Sequence, residues 1–310
     1  MPGPRLAGPR LLGHTNTVVD VIGPVDGSAE LTILTEGNHF PALLPLVLDE
    51  FPSWCASREA CRVRRDEILV ITLPQFMVVD ALESGGLSFG TLRVPLRRGE
   101  GGLWPDIVMA GVGPLRRLAV GGYVGGSGRS LARHQGMGLL VRRDGPGDVQ
   151  DLPGLVATQA RLILASSHES GARRQYLSAL SAALPPSAVE RLLAREVDSF
   201  PGRLTIQHRD VPYALLAGYA DAGLIFVHLA QYWAQQYPEH LAARCLPDAS
   251  RLGQEILVAS SSEESGPVAK AFMDFLFEKA PEAYVRAGFS PADSFSFGEV
   301  VEFKEEASSP

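Results

Sequence analysis

Residues Leu31–Phe51 read LTILTEGNHFPALLPLVLDEF. The first residues are short and apolar, as in a buried strand. The run breaks at Thr35-Glu36-Gly37-Asn38-His39 and resumes with apolar residues at helical spacing, Leu43, Leu44, Leu46, Val47 and Leu48. A strand that passes into a helix is half of a βα unit. In open α/β sheets, ligands sit beyond the carboxyl ends of the strands. A carboxylate, a glycine, an amide and an imidazole at such a turn mark it as a place where something is bound.

The pattern repeats outward from this point. Strands are expected over Glu30–Thr35, Glu67–Leu73, Asp106–Met109 and Gly138–Arg142, with helices over Phe40–Phe51, Gln75–Leu82 and Pro114–Val120. After Asp151-Leu152-Pro153-Gly154 the alternation starts again. It has strands over Arg161–Ala165, Leu204–His208, Ala222–Val227 and Gln254–Ala259, and helices over Gly171–Leu184, Ser187–Glu196, Pro212–Tyr219 and Pro267–Phe277. Short apolar strands alternating with helices imply mostly parallel sheets covered on both faces. Two such runs imply two α/β lobes. The glycine-dense stretch Gly121–Gly128, GGYVGGSG, reads as a mobile loop, and Arg129 and Ser130 as the approach to the next strand.

The 310 residues are 45% hydrophobic, enough to bury two cores. A net charge of −7 argues against a nucleic-acid surface, and Arg62-Val63-Arg64-Arg65 reads as a solvated helix end. No apolar run reaches the roughly 18 residues that span a bilayer. The opening MPGPRLAGPRLLG is basic and rich in Pro and Gly, and lacks the apolar core that export requires. Two localisations follow. The protein is periplasmic or extracellular if a leader is missing from this chain, and cytoplasmic if Met1 is the true start. Of the three cysteines, Cys55 and Cys61 could close a small loop, but with Cys245 left over the preferred reading is free thiols.

Catalytic signatures are lacking. There is no G-x-S-x-G, Walker A or H-E-x-x-H, and Gly111-Val112-Gly113 lacks the third glycine of a dinucleotide site. No catalytic residue and no covalent cofactor are expected.

Four segments carry a family resemblance. They are the strand-to-helix turn at Leu31–Phe40; WPDIVMAGVGPLRRLAV at Trp104–Val120; SLARHQGMGLLVRR at Ser130–Arg143, with LILASSHESGARRQYLSAL after it; and LLAGYADAGLIFVHLAQYW, followed by EILVAS and GPVAKAFMDFLFEKAPEAYVRAGFSPA. In order and spacing they resemble the type II periplasmic solute-binding proteins of the molybdate/sulfate group, over about residues 30 to 292. The resemblance implies two α/β lobes with a ligand cleft between them, closed by hinge motion, and delivery of the ligand to an ABC permease. It divides the chain into an extension over 1–29, a discontinuous first lobe over 30–141 and 256–304, a second lobe over 142–255, and a polar tail over 305–310. The hinge crossings then fall near Leu139–Arg142 and Ile256–Ala259. A monomer is expected. The alternative is a soluble intracellular sensor or enzyme on the same scaffold.

Helix N-termini offer unpaired N–H groups and partial positive charge, a seat for an oxyanion such as molybdate or tungstate. The ligand set on this reading is Thr35, Glu36, Gly37, Asn38, Gln75, Ser166, Ser167, Ser170, Gly171 and Phe226. The chain departs from the family's oxyanion binders by placing Glu36 in the seat and Phe226 where a tyrosine is expected. The same turns also hold Glu36, His39, His168, Glu169 and His228, residue types that bind a divalent metal. Ser, Thr and Asn cap helices and acids complement helix dipoles at such positions, so an ordinary structural role stands beside each assignment.

Overall fold

A computed structural model describes residues 20–58, 61–89, 92–99, 102–147, 149–203, 205–246, 254–261 and 265–303, without the side chains of Phe89, Leu92, His168 and Ser170. Most of the extension expected over 1–29, and the tail over 305–310, lie outside these residues. The chain forms two compact units. One comprises the described residues of Met1–Arg133, Glu255–Arg286 and Ser290–Pro310, and the other those of His134–Gln254 and Ala287–Phe289.

The first unit opens with β1 (Asp20–Ile22) and β2 (Leu31–Glu36), whose six residues are all buried. Helix α1 (Phe40–Pro45) runs through a π-helical turn at Leu46–Glu50 into α2 (Phe51–Ser57). The expected single helix is thus extended and locally widened. Pro45 and Pro52 lack the N–H that an α-helical ladder needs, and the wider turn between them accommodates the break. Next come β3 (Ile68–Leu73), α3 (Gln75–Glu83), a hairpin of β4 (Leu87–Phe89) and β5 (Leu92–Val94), β6 (Ile107–Ala110), α4 (Val112–Val120) and β7 (Ser127–Arg133).

The second unit contains β8 (Met137–Arg142), α5 (Leu152–Ala157), β9 (Leu162–Ile163), α6 (Ser170–Ala183), α7 (Pro186–Leu193), β10 (Glu196–Val197), α8 (Asp210–Leu216), β11 (Ala222–Phe226), α9 (Val227–Gln236) and β12 (Leu241–Cys245). The chain then returns to the first unit with β13 (Glu255–Ser260), the long helix α10 (Pro267–Arg286) and β14 (Val300–Glu302).

The seven-stranded sheet has the order β1-β3-β2-β6-β13-β7-β14, and the five-stranded sheet β10-β9-β11-β8-β12. Each has a parallel centre, β3-β2-β6 in one and β10-β9-β11 in the other, extended by antiparallel strands. The α/β class expected from the alternation holds. Helix α10 anchors the C-terminal return to the first unit. Phe272 and Trp54 pack edge-on against Phe51 and Phe275 respectively, with ring centroids 5.1 and 5.6 Å apart. Glu278 accepts from the Trp54 indole and the Arg58 guanidinium.

Several expectations are corrected. The two expected crossings lie earlier in the chain, at Arg133–His134 and Gln254–Glu255, and two more bracket Ala287–Phe289. The reason is pairing: β8 is bonded to β11 and β12, and β13 to β6 and β7, so each strand belongs wholly to one sheet. Residues 20–22, expected in the extension, pair with β3. Arg129 and Ser130 are not in a loop. They lie in β7, where Arg129 stacks on Phe277 at 3.6 Å and Ser130 is buried. The strand expected over Leu204–His208 is absent from its described part, residues 205–208, which form turn and irregular backbone. Cys55 and Cys61 are joined in a disulfide, and Cys245 is free and exposed. The free-thiol reading rests on cysteine parity, which says nothing of the 5.3 Å that separates the two Cα atoms in the fold.

Candidate functional site

In the first unit the parallel centre places three strand ends side by side. Strand β2 lies between β3 and β6, with Glu36 opposite Leu73 and Thr35 opposite Met109. Helices α3 and α4 begin at the two flanking ends. The Gln75 side chain lies against Gly111, where an added Cβ would come within 3.1 Å of its Nε2. A residue with a side chain at position 111 would displace that amide.

Glu36 is 2% exposed, and its Oε2 accepts a 2.9 Å bond from the Asn38 amide. Thr35 donates to the Glu36 carbonyl at 3.0 Å. His39 stands at the N-cap position of α1 without a capping side-chain bond. Its ring is fully buried, with Nε2 2.6 Å from Thr35 Oγ1 and Nδ1 2.6 Å from Tyr284 Oη of α10. Burial, and then the Glu36 charge, hold the Tyr284 phenol well above its usual pKa.

In the second unit β9 leads into Ser166 and a short 3-10 turn, Ser167–Glu169, ahead of α6. Ser166 N–H donates to the Ile206 carbonyl at 2.8 Å, tying this turn to the 205–208 segment. Asp210 fixes that segment by accepting from Gln207 N–H at 2.9 Å and from Arg203 at 2.6 Å. His208 is thereby delivered to Glu169. Its N–H donates to Glu169 Oε2 at 3.3 Å, and its Nε2 is 3.4 Å from the same oxygen. The other ring nitrogen, Nδ1, pairs with Tyr176 Oη of α6. Burial, and then His228, lower the His208 pKa to about 3, so the ring is neutral at physiological pH. Tyr176 is raised well above its usual value, chiefly by burial and then by Glu169.

At the end of β11, Phe226 is buried between two imidazoles. It stacks on His134 at 4.3 Å and on His208 at 5.1 Å. His228, fully buried in the first turn of α9, stacks on His134 at 4.9 Å and packs on Phe289 at 4.0 Å, and the Nδ1 atoms of His134 and His228 are 3.5 Å apart.

The structure thus brings Thr35, Glu36, Asn38 and His39 together at one turn, with Gln75 at the neighbouring strand end. It brings Glu169, Phe226 and His228 into a second cluster. Ser167 is exposed, and Gly171 is an exposed helical residue with open space around it. The side chains of His168 and Ser170 are outside the described set. Among the described residues no three His, Cys, Asp or Glu side chains gather in a metal-holding group. Tyr284, Tyr176, His208 and His134 were missed by sequence reasoning. Tyr176 had a local signal, since it shares the buried face of α6 with Ala179 and Leu180. The others meet their partners across 39 to 245 residues of chain, beyond any local pattern.

Two α/β units, each with a parallel centre, joined by repeated chain crossings, are the architecture of a type II solute-binding protein. The chain belongs to the bacterial extracellular solute-binding protein family, whose model matches residues 88–290. No curated protein matches it. Among solved structures it is similar to the periplasmic molybdate-binding protein of Azotobacter vinelandii, at 15% identity and a TM-score of 0.56, covering 84% of this chain and 99% of that one. It is also similar to the sulfate-binding protein SubI of Mycobacterium tuberculosis, at 16% identity and 0.56, covering 85% and 87%. A third is the substrate-binding protein of the ABC transporter from Agrobacterium tumefaciens, at 11% identity and 0.59, covering 91% and 84%. At these identities the likeness is one of fold.

Proposed function

We propose that this protein captures a small inorganic oxyanion of the molybdate/tungstate type and delivers it to an ABC permease. The family match carries the solute-binding part of the reading. On this proposal the solute meets the turns at Glu36–Asn38 and Ser166–Gly171. The helix starts at Gln75 and Val227 follow β3 and β11, which neighbour β2 and β9 within their own sheets. Binding favours closure because the closed form makes the larger set of contacts. No step of this role requires catalysis. Two fold neighbours are named for molybdate and sulfate, which supports the oxyanion. The Cys55–Cys61 bond supports an oxidising, extracytoplasmic setting, and no helix among the described residues is long and apolar enough to cross a membrane.

A divalent metal is the second reading, supported by the two buried carboxylates Glu36 and Glu169. Calorimetry on Glu36→Ala separates the two. Like charges about 4 Å apart at an effective dielectric constant near 20 repel by about 4 kcal/mol. If the solute is an oxyanion, removing the carboxylate leaves binding unchanged or tightens it. If the solute is zinc or nickel, binding is lost. Loss of molybdate binding in Glu36→Ala would contradict the oxyanion reading.

A further inference from the structure

Each unit carries a tyrosine bonded to Nδ1 of a buried histidine, beside a buried glutamate at the end of a parallel strand or in the turn just after it. In the first unit these are Tyr284, His39 and Glu36, and in the second Tyr176, His208 and Glu169. Both tyrosines come from the longest helix of their unit, α10 and α6. The opposite nitrogen of His39 is engaged by Thr35 Oγ1, while His208 reaches its glutamate through the backbone, its N–H donating to Glu169 Oε2 at 3.3 Å, with Nε2 3.3 Å from Tyr176 Oη and 3.4 Å from Glu169 Oε2.

The hydrogen positions follow from the partners. Thr35 has one hydroxyl hydrogen and gives it to the Glu36 carbonyl. Its oxygen can then only accept from His39, so Nε2 of that ring carries the hydrogen. Nδ1 of His39 is left as the acceptor for the Tyr284 O–H.

We infer that these are two versions of one orienting relay, from a tyrosine through a buried histidine to the strand-end turn, reaching Thr35 in one unit and Glu169 in the other, and that each relay fixes the turn its unit presents to the solute. The inference rests on the proposal that those turns receive the solute. His39, His208 and the two tyrosines are positioning residues. A neutral imidazole with both nitrogens engaged makes a poor metal ligand, so the relay removes His39 from the metal set. Its occurrence in each unit, built from unrelated sequence positions, separates it from a chance core contact.

The test is nitrogen NMR of the histidine rings in the full chain, with backbone amides followed alongside. The wild-type spectrum should show both rings neutral, with the hydrogen of His39 on Nε2. Tyr284→Phe should move the Asn38 amide, and Tyr176→Phe the Glu169 amide, each without disturbing the other turn. A charged ring, a hydrogen on Nδ1 of His39, or turn amides indifferent to both variants would overturn the relay. The ring spectrum needs no variant to fold. Titration with molybdate adds a second arm. Each Phe variant keeps the ring's bulk and loses one hydrogen bond, so it should bind about five- to tenfold more weakly. Variants with wild-type affinity would overturn the positioning role. A wild-type chain that ignores molybdate would count against the oxyanion, while the ring and amide spectra would still decide the relay.

Discussion

His208 is the side chain whose chemistry the fold changes most, and the change is measurable in stability. Its pKa falls from an ordinary value near 6.5 to about 3 because burial disfavours the charged ring, with His228 adding to the effect. Between those two values the unfolded chain binds a proton that the folded chain does not. Stability from this residue is complete above about pH 6.5 and is lost progressively as the solution is acidified toward pH 3, by about 1.4 kcal/mol per pH unit. The melting temperature should therefore drop between pH 7 and 4.5, and His208→Gln should drop less over the same range. Equal slopes in scanning calorimetry would show that His208 is not the group responsible. The sequence makes the turns Thr35–His39 and Ser166–Ser170 visible as strand-to-helix junctions, because Gly, Asn and Ser punctuate an apolar pattern there. It does not make His208, His134 or Tyr284 visible. Their partners are distant in the chain, and a histidine in an irregular segment carries no period.

Among the elements, α2 is held in three ways, and each is open to test. Its Cys55 is bonded to Cys61, Trp54 packs on Phe275, and Trp54 and Arg58 both bind Glu278 of α10. A loop this short removes about 2 kcal/mol of unfolded-state entropy on the chain-entropy model. The double variant Cys55→Ser, Cys61→Ser should therefore melt a few degrees lower, and an unchanged melt would mean the bond adds nothing to the packing. In the second unit, β11 uses Gly223 to let Val211 and Ile163 approach, since an added Cβ would lie 2.3 Å from Val211 Cγ1 and 3.2 Å from Ile163 Cγ2. Gly223→Ala should cost about 1–3 kcal/mol in denaturant unfolding. A neutral result would show that the core there is loose. Strands with fully apolar runs, such as β3 and β11, were legible because burial on both faces leaves an unbroken hydrophobic signature. Strand β7 was not, since its glycine and two arginines mimic a loop, and only pairing with β13 and β14 makes it a strand. Strand β12, LAARC, mixes small and charged residues without a clear period. The strand expected near His208 failed for the converse reason: an alternating pattern found no neighbour to pair with.

At the scale of the molecule, alternation of strand and helix predicted two α/β units, and both sheets have the parallel centre that such units require. The exact crossings were not legible. Hydrophobic runs tell which segments are strands, whereas the partner strand decides to which sheet each belongs. The family match and the fold define a solute-binding protein, and the proposal adds that its solute is an oxyanion. A ligand that binds only the folded chain raises its stability by about 2.7 kcal/mol at 100 times its dissociation constant. The most direct measurement is thermal unfolding of chelator-treated protein with molybdate, tungstate and sulfate, set against zinc, nickel and copper. The account predicts stabilisation by molybdate or tungstate and none by the metals. Stabilisation by a divalent metal, with no response to any oxyanion, would contradict it.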